Sequence, residues 1–424
     1  MRKILHLAVL ALALVLLPGC GGNRSQVLKV YNWYNYIDPS VIPEFEAWYR
    51  QQTGESIKVD YKEFTTNNEL WNALEAGGDY DVIAPSDYMI ERMLKYGMLQ
   101  PINRDFGHTP NYIGEENISP FIREHFSKLC DTLDANLYAV GNNWGTTVIL
   151  YNGQYVTDND ADTWNILRNF KYRDRILIKD AARDVYSQVI LAVKEKEISE
   201  GKVTPDELMF YTGEENLAEV EQFLMNVHEI VLSWDAVEDK EKMVHEEGYV
   251  NLNWNGEAVQ AIEEAAQEGV TLRFSLPDEG YTIWFDGWAI PKNAVNPKAA
   301  SYFINFMLRP DVVIRNSEVT GYLSSCGSME VLKHFIDNQY PESDLSYFFG
   351  PEAEAVRVNP VMFPDKEAVA RSYIEHDWGE NTYKLDEMWA RVTAKKGGFP
   401  WWLLLLLAAA GGGFIIFRRQ KNNL

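Results

Sequence analysis

Between Val27 and Tyr96 the sequence alternates between the period of a strand and the period of a helix, and this alternation restricts the fold more than any other feature. Val27–Tyr36 reads VLKVYNWYNY. Val27, Lys29, Tyr31, Trp33 and Asn35 alternate with Leu28, Val30, Asn32, Tyr34 and Tyr36, a strand running into an aromatic loop. Asp38, Pro39 and Ser40 start a helix that reaches Gln52, with Ile42, Phe45 and Trp48 on its apolar face. Ile57–Tyr61 is a second strand. The helix Thr66–Ala76 carries Leu70, Trp71 and Leu74 and stops at Gly77 and Gly78. Asp81–Ala84 is a short third strand that ends at Pro85-Ser86-Asp87-Tyr88, and Ile90–Tyr96 is again helical. Strands and helices alternating at these lengths predict an α/β lobe on a mostly parallel sheet.

The chain has 424 residues, too many for one such core, so two lobes are expected. Leu137–Asn152 is β-rich and interrupted by Gly141, and reads as a crossing into the second lobe. There Ile176–Lys179 and Tyr249–Trp254 are strands, and Asp180–Glu195, Glu215–Val227 and Ala258–Glu268 are helices. After the strand Thr271–Leu276 and the turn Pro277-Asp278-Glu279-Gly280, the stretch Tyr281–Pro291 reads as the return crossing. Helices follow over Lys298–Leu308 and from Val312. The predicted division is residues 27–141 with 283–330 for the first lobe and 142–282 with 331–396 for the second.

Both ends differ from the middle. Residues 1–20, MRKILHLAVLALALVLLPGC, have the basic start, apolar run and small residues of a secretory signal. The ending Leu17-Pro18-Gly19-Cys20 resembles a bacterial lipobox, which makes Cys20 the expected lipidation site. Phe399–Phe417 is uncharged and flanked by Lys395-Lys396 and Arg418-Arg419. At 1.5 Å per residue it is about 28 Å long, enough to span a bilayer. Everything between would lie on the extracytoplasmic side, attached to the cell membrane through lipid, the span, or both. The formal net charge of −23 repels nucleic acid and attracts cations. Cys130 and Cys326 are the other cysteines, and their spacing does not decide whether they pair.

The sequence contains no HExxH, GxSxG, P-loop or CxxC motif, and its seven histidines are scattered. These absences leave no catalytic, metal or cofactor constellation, and none is expected. What recurs is rings and carboxylates near strand ends: Trp33, Tyr34 and Tyr36, then Tyr88, then Trp254 with Glu257, then Trp284 with Asp286. Ligands of α/β sheets lie beyond the carboxyl ends of strands, so these loops can converge on one cleft. In an extended chain Trp284 and Asp286 point to the same side. An indole beside a carboxylate suits an organic cation.

Leu28 to about Gly379 resembles the spermidine/putrescine-binding proteins of bacterial ABC importers. The pieces that carry the likeness are VYNWYNYI, GDYDVIAPSDYMIERM, DAARDVY, LNWNGEA, IWFDGWAIPKNA, FINFMLRPDV and TGY. The resemblance implies a two-lobed α/β fold of the periplasmic-binding-protein type, with hinge crossings that here fall near Gly141 and Gly280. It also implies a polyamine held between the lobes and passed to permease subunits, with no enzymatic step. The ligand-binding positions it implies are Trp33, Tyr34, Asn35, Tyr36, Ser86, Tyr88, Asp184, Trp254, Glu257, Trp284, Asp286 and Tyr322. In the family the aromatics sandwich the methylene chain and the acids meet the amines. Two acids common in the family are missing, because Asn35 and Ala181 stand in their places, and Asp180 or Glu375 are the compensating candidates. Losing them favours putrescine over spermidine. The alternatives are another organic cation, such as a quaternary amine or an opine, and a membrane-anchored surface hydrolase.

Overall fold

The computed structural model describes residues 24–235 and 237–394. The expected signal with Cys20 and the expected span 399–417 lie outside the described residues. Among the described residues no helix is long and apolar enough to cross a membrane.

The strands include β1 Val27–Trp33, β2 Lys58–Phe64, β3 Val82–Ile83, β4 Leu99–Gln100, β5 Ala139–Asn152, β6 Ile176–Ile178, β7 Val231–Trp234, β8 Val250–Trp254, β9 Leu272–Ser275, β10 Tyr281–Pro291 and β11 Leu323–Ser324. They join in the order β2-β1-β3-β10-β5-β8-β6-β7, so a single hydrogen-bonded path runs through both lobes. Pairing is parallel inside each lobe, β1 with β2 and β3, β6 with β7 and β8. It is antiparallel wherever β5 or β10 takes part with β3, β8, β9 or each other. The parallel expectation therefore describes the two ends of the sheet, and the crossing strands form an antiparallel middle.

β5 is continuous through Gly141, and all 14 of its residues are buried. That burial follows from its position, with β10 on one side and β8 and β9 on the other. Two threonines of this middle are paired: Thr147 and Thr282 hydroxyls lie 3.0 Å apart, and Gln188 Nε2, from the helix Ala182–Val193, donates to Thr282 Oγ1 at 2.6 Å.

Residues 331–396, expected in the second lobe, divide in the structure. Phe348 stacks on Trp144 and lies near Phe121, so Leu332–Phe363 joins the apolar cluster that also contains β1 and β3. Trp378, Leu385, Met388 and Trp389 pack instead with the helix Ala182–Val193 of the second lobe. Aromatic side chains here go where flat apolar partners exist, which sequence order does not reveal.

Candidate ligand-binding cleft

The cleft is built from the loops after β1, β3 and β8, from the middle of β10, and from the first turn of the helix Ala182–Val193. It encloses about 990 Å³, part of it open to solvent. All twelve positions expected from the sequence to bind ligand line this one cavity.

Asp286 forms its floor. Between Phe285 and Gly287 the β10–β5 ladder shifts register, so β5 advances from Trp144 to Gly141 while β10 passes only Asp286. The irregularity frees Asp286 from β5 and lets it bridge Ser86 instead. Tyr36 Oη donates to Asp286 Oδ2 and Ser86 Oγ donates to Oδ1, each at 2.7 Å. Ser86 is itself set by Asn67, whose Nδ2 donates to Ser86 Oγ and to Tyr88 Oη, both at 3.0 Å. Among the described residues no basic side chain pairs with Asp286, which is 3% exposed. Burial pushes its pKa up to about 8, against the opposing pull of the two hydroxyl donors.

Rings stand around this carboxylate. Tyr322 meets Tyr36 and Trp284 edge-on, with centroids 5.2 and 5.4 Å apart. Trp33 rests on Phe64 at 4.6 Å. Tyr34 is at the rim, 44% exposed. Asn35 turns the loop in the left-handed region at φ 51°, which asparagine tolerates, and its backbone N–H donates to Glu63.

The second lobe supplies acids. Asp184 accepts the indole N–H of Trp254 at 2.8 Å, and burial raises its pKa. Glu375 is buried with Oε1 unpartnered, and burial followed by the neighbouring Asp184 charge raises its pKa well above the usual range. Glu257 also reaches the cavity, but its Oε2 is bonded to the ammonium of Lys179. Burial raises Glu257 to about 7 although Lys179 acts against it. Asp180 accepts from the Trp389 indole at 2.7 Å and lies in a neighbouring hollow instead of this cavity.

This two-lobed, ring-walled cleft is matched by the sequence profile of bacterial extracellular solute-binding proteins over residues 42–338. The chain belongs to that family. It is a binding protein rather than an enzyme. Among the relatives of this solute-binding protein is the spermidine/putrescine-binding periplasmic protein of Escherichia coli (strain K12). That relative is 28% identical over 397 residues, 93% of this chain and 98% of the relative. A putrescine-binding periplasmic protein of the same strain is 27% identical over 315 residues, covering 71% and 78%. Among solved structures, the spermidine/putrescine ABC transporter substrate-binding protein of Streptococcus pneumoniae superposes with a TM-score of 0.61 at 25% identity. It covers 87% of this chain and 98% of its own.

In this solute-binding protein Lys240, Asn67 and Gln260 line the cleft, Lys179 stands behind Glu257, and sequence reasoning passed over all four. Lys179 reads as the polar end of an apolar strand, and nothing local marks it as a cleft residue.

Proposed function

We propose that the protein is the extracytoplasmic ligand-capturing component of an ABC importer. Its ligand is a polyamine, putrescine in preference to spermidine, which it delivers to permease subunits. Attachment to the membrane through Cys20, through residues 399–417, or through both belongs to the same reading. One observation carries it: a buried carboxylate, Asp286, fixed by two hydroxyl donors, free of any described protein cation and walled by Trp284, Tyr322 and Tyr36. An ammonium there donates to the carboxylate, and the methylenes behind it lie on ring faces. Burying the second ammonium without an acid would cost several kcal/mol, and Asp184 with Glu375 on the other lobe meets that need. Putrescine has two ammonium groups joined by four methylenes and matches one acid set on each lobe. The names of the relatives agree with this ligand class.

Calorimetry of the full chain with putrescine, spermidine and glycine betaine tests the reading. Heat is expected with putrescine and not with betaine. Absence of heat with both polyamines overturns it.

A further inference from the structure

Lys179 follows β6, and its side chain has no exposure. Its ammonium donates to Asp239 Oδ1 at 3.1 Å and to Glu257 Oε2, and stands 4.7 Å from the centroid of the Trp254 ring. Two carboxylates and an indole face are the surroundings an amine ligand would take, and here the chain provides the amine. Asp239 is fixed independently by Asn251 Nδ2 at 3.0 Å and by the Lys240 backbone N–H at 2.9 Å. The Lys240 side chain lines the same wall and pairs with Glu264 at 2.7 Å. A ligand ammonium brought to Glu257 would have to share that carboxylate with a cation already bonded to it, beside a second lysine. In a poorly solvated wall that repulsion is weakly screened.

We infer that Lys179 is a specificity-determining residue, a tethered ammonium that withdraws Glu257 from the ligand set and limits the ligand to two amines. One amine sits at Asp286 and the other on the Asp184–Glu375 side. A third, internal amine brought to Glu257 meets an acid already bonded to Lys179 and is disfavoured. This rests on the polyamine reading above, and it assigns the chain a diamine class from a residue outside the expected binding set.

Three variants of the full chain test it by calorimetry with putrescine and spermidine. Glu257→Gln removes the acid, and Lys179→Met combined with Asp239→Asn releases Glu257 while removing one charge of each sign. The third combines all three changes. The unaltered chain is expected to prefer the diamine by roughly tenfold or more, and Glu257→Gln to keep the sign of that preference. The Lys179→Met/Asp239→Asn chain is expected to shift the ratio toward the triamine by roughly tenfold, and adding Glu257→Gln to cancel that shift. Equal affinity of the unaltered chain for both polyamines overturns the inference. So does a loss of about thirtyfold or more in diamine affinity from Glu257→Gln, or an unchanged ratio in the double variant. If the double variant does not fold, as read by circular dichroism, the Glu257→Gln result decides. Heat with neither polyamine on the unaltered chain removes the polyamine reading and this inference with it, whereas diamine binding with an unresponsive ratio removes only the inference.

Discussion

At the scale of single residues, Asp286 has a carboxyl held near pKa 8 in a place that a cation must enter as the anion's partner. Replacing it by Asn keeps the shape and one accepting oxygen for a hydroxyl donor but removes the charge. Asp286→Asn is expected to weaken polyamine binding by about 3 kcal/mol or more, seen as loss of calorimetric heat with the fold intact. The proton follows the ligand. Below pH 8 the free protein holds Asp286 largely protonated, so binding releases a proton and affinity rises with pH until about 8. Titrations in buffers of different ionisation enthalpy should show that release at pH 6.5. The stability sign runs the other way for the ligand-free protein. The folded pKa lies above the ordinary 3.8, so the folded state keeps the proton longer, and its advantage is lost as pH rises from about 4 to about 8. Thermal unfolding between pH 5 and 8 should therefore fall less steeply for Asp286→Asn than for the unaltered chain.

At the scale of elements, the aim of Asp286 depends on the register shift beside it. Gly287 donates its N–H to Pro85 O at 2.9 Å, and a Cβ there would lie 2.8 Å from Ile90 Cδ1 and 2.9 Å from Phe126 Cε1. Gly287→Ala is expected to cost about 1–3 kcal/mol in chemical denaturation and to reduce ligand affinity by displacing the neighbouring carboxylate. The strands and aromatic loops of the first lobe were legible because alternation, caps and turn residues are local signals. Trp284 and Asp286 were legible together because their two-residue spacing puts them on one face. The shift that points Asp286 at Ser86 was not, since it arises from a partner strand about 140 residues earlier in the chain. The pairing of Lys179 with Glu257 was hidden for the same reason: the two are 78 residues apart and meet only through β6 and β8.

At the scale of the molecule, the lobes touch across the cleft as well as through the sheet. Asn68, on the first-lobe helix Asn67–Glu75, donates to Asp386, on the second-lobe helix Thr382–Val392, at 2.9 Å. Glu91 accepts the backbone N–H of Asp377 at 3.2 Å, and Lys95 lies 3.8 Å from the Asp377 carboxylate. Such contacts favour the closed arrangement over an open one. Asn68→Ala touches no ligand-facing acid and is expected to speed ligand release several-fold in stopped-flow fluorescence, with association little changed. The continuous sheet path and the divided packing of residues 331–394 explain why lobe membership is harder to read than the strands themselves.

The order β3-β10-β5 also dictates when the first lobe can be completed during synthesis. Ile83 has no finished sheet until Ala289 arrives beside it, roughly 200 residues later, and Trp144 waits similarly for Leu323. A nascent chain emerging amino end first therefore carries three strands and their helices without the strand that seals them. The ribosome will have made most of the second lobe before the first can close. Such a chain stays threadable for longer than one whose early segment folds by itself, and its refolding should be slow and limited by the late docking of Tyr281–Pro291.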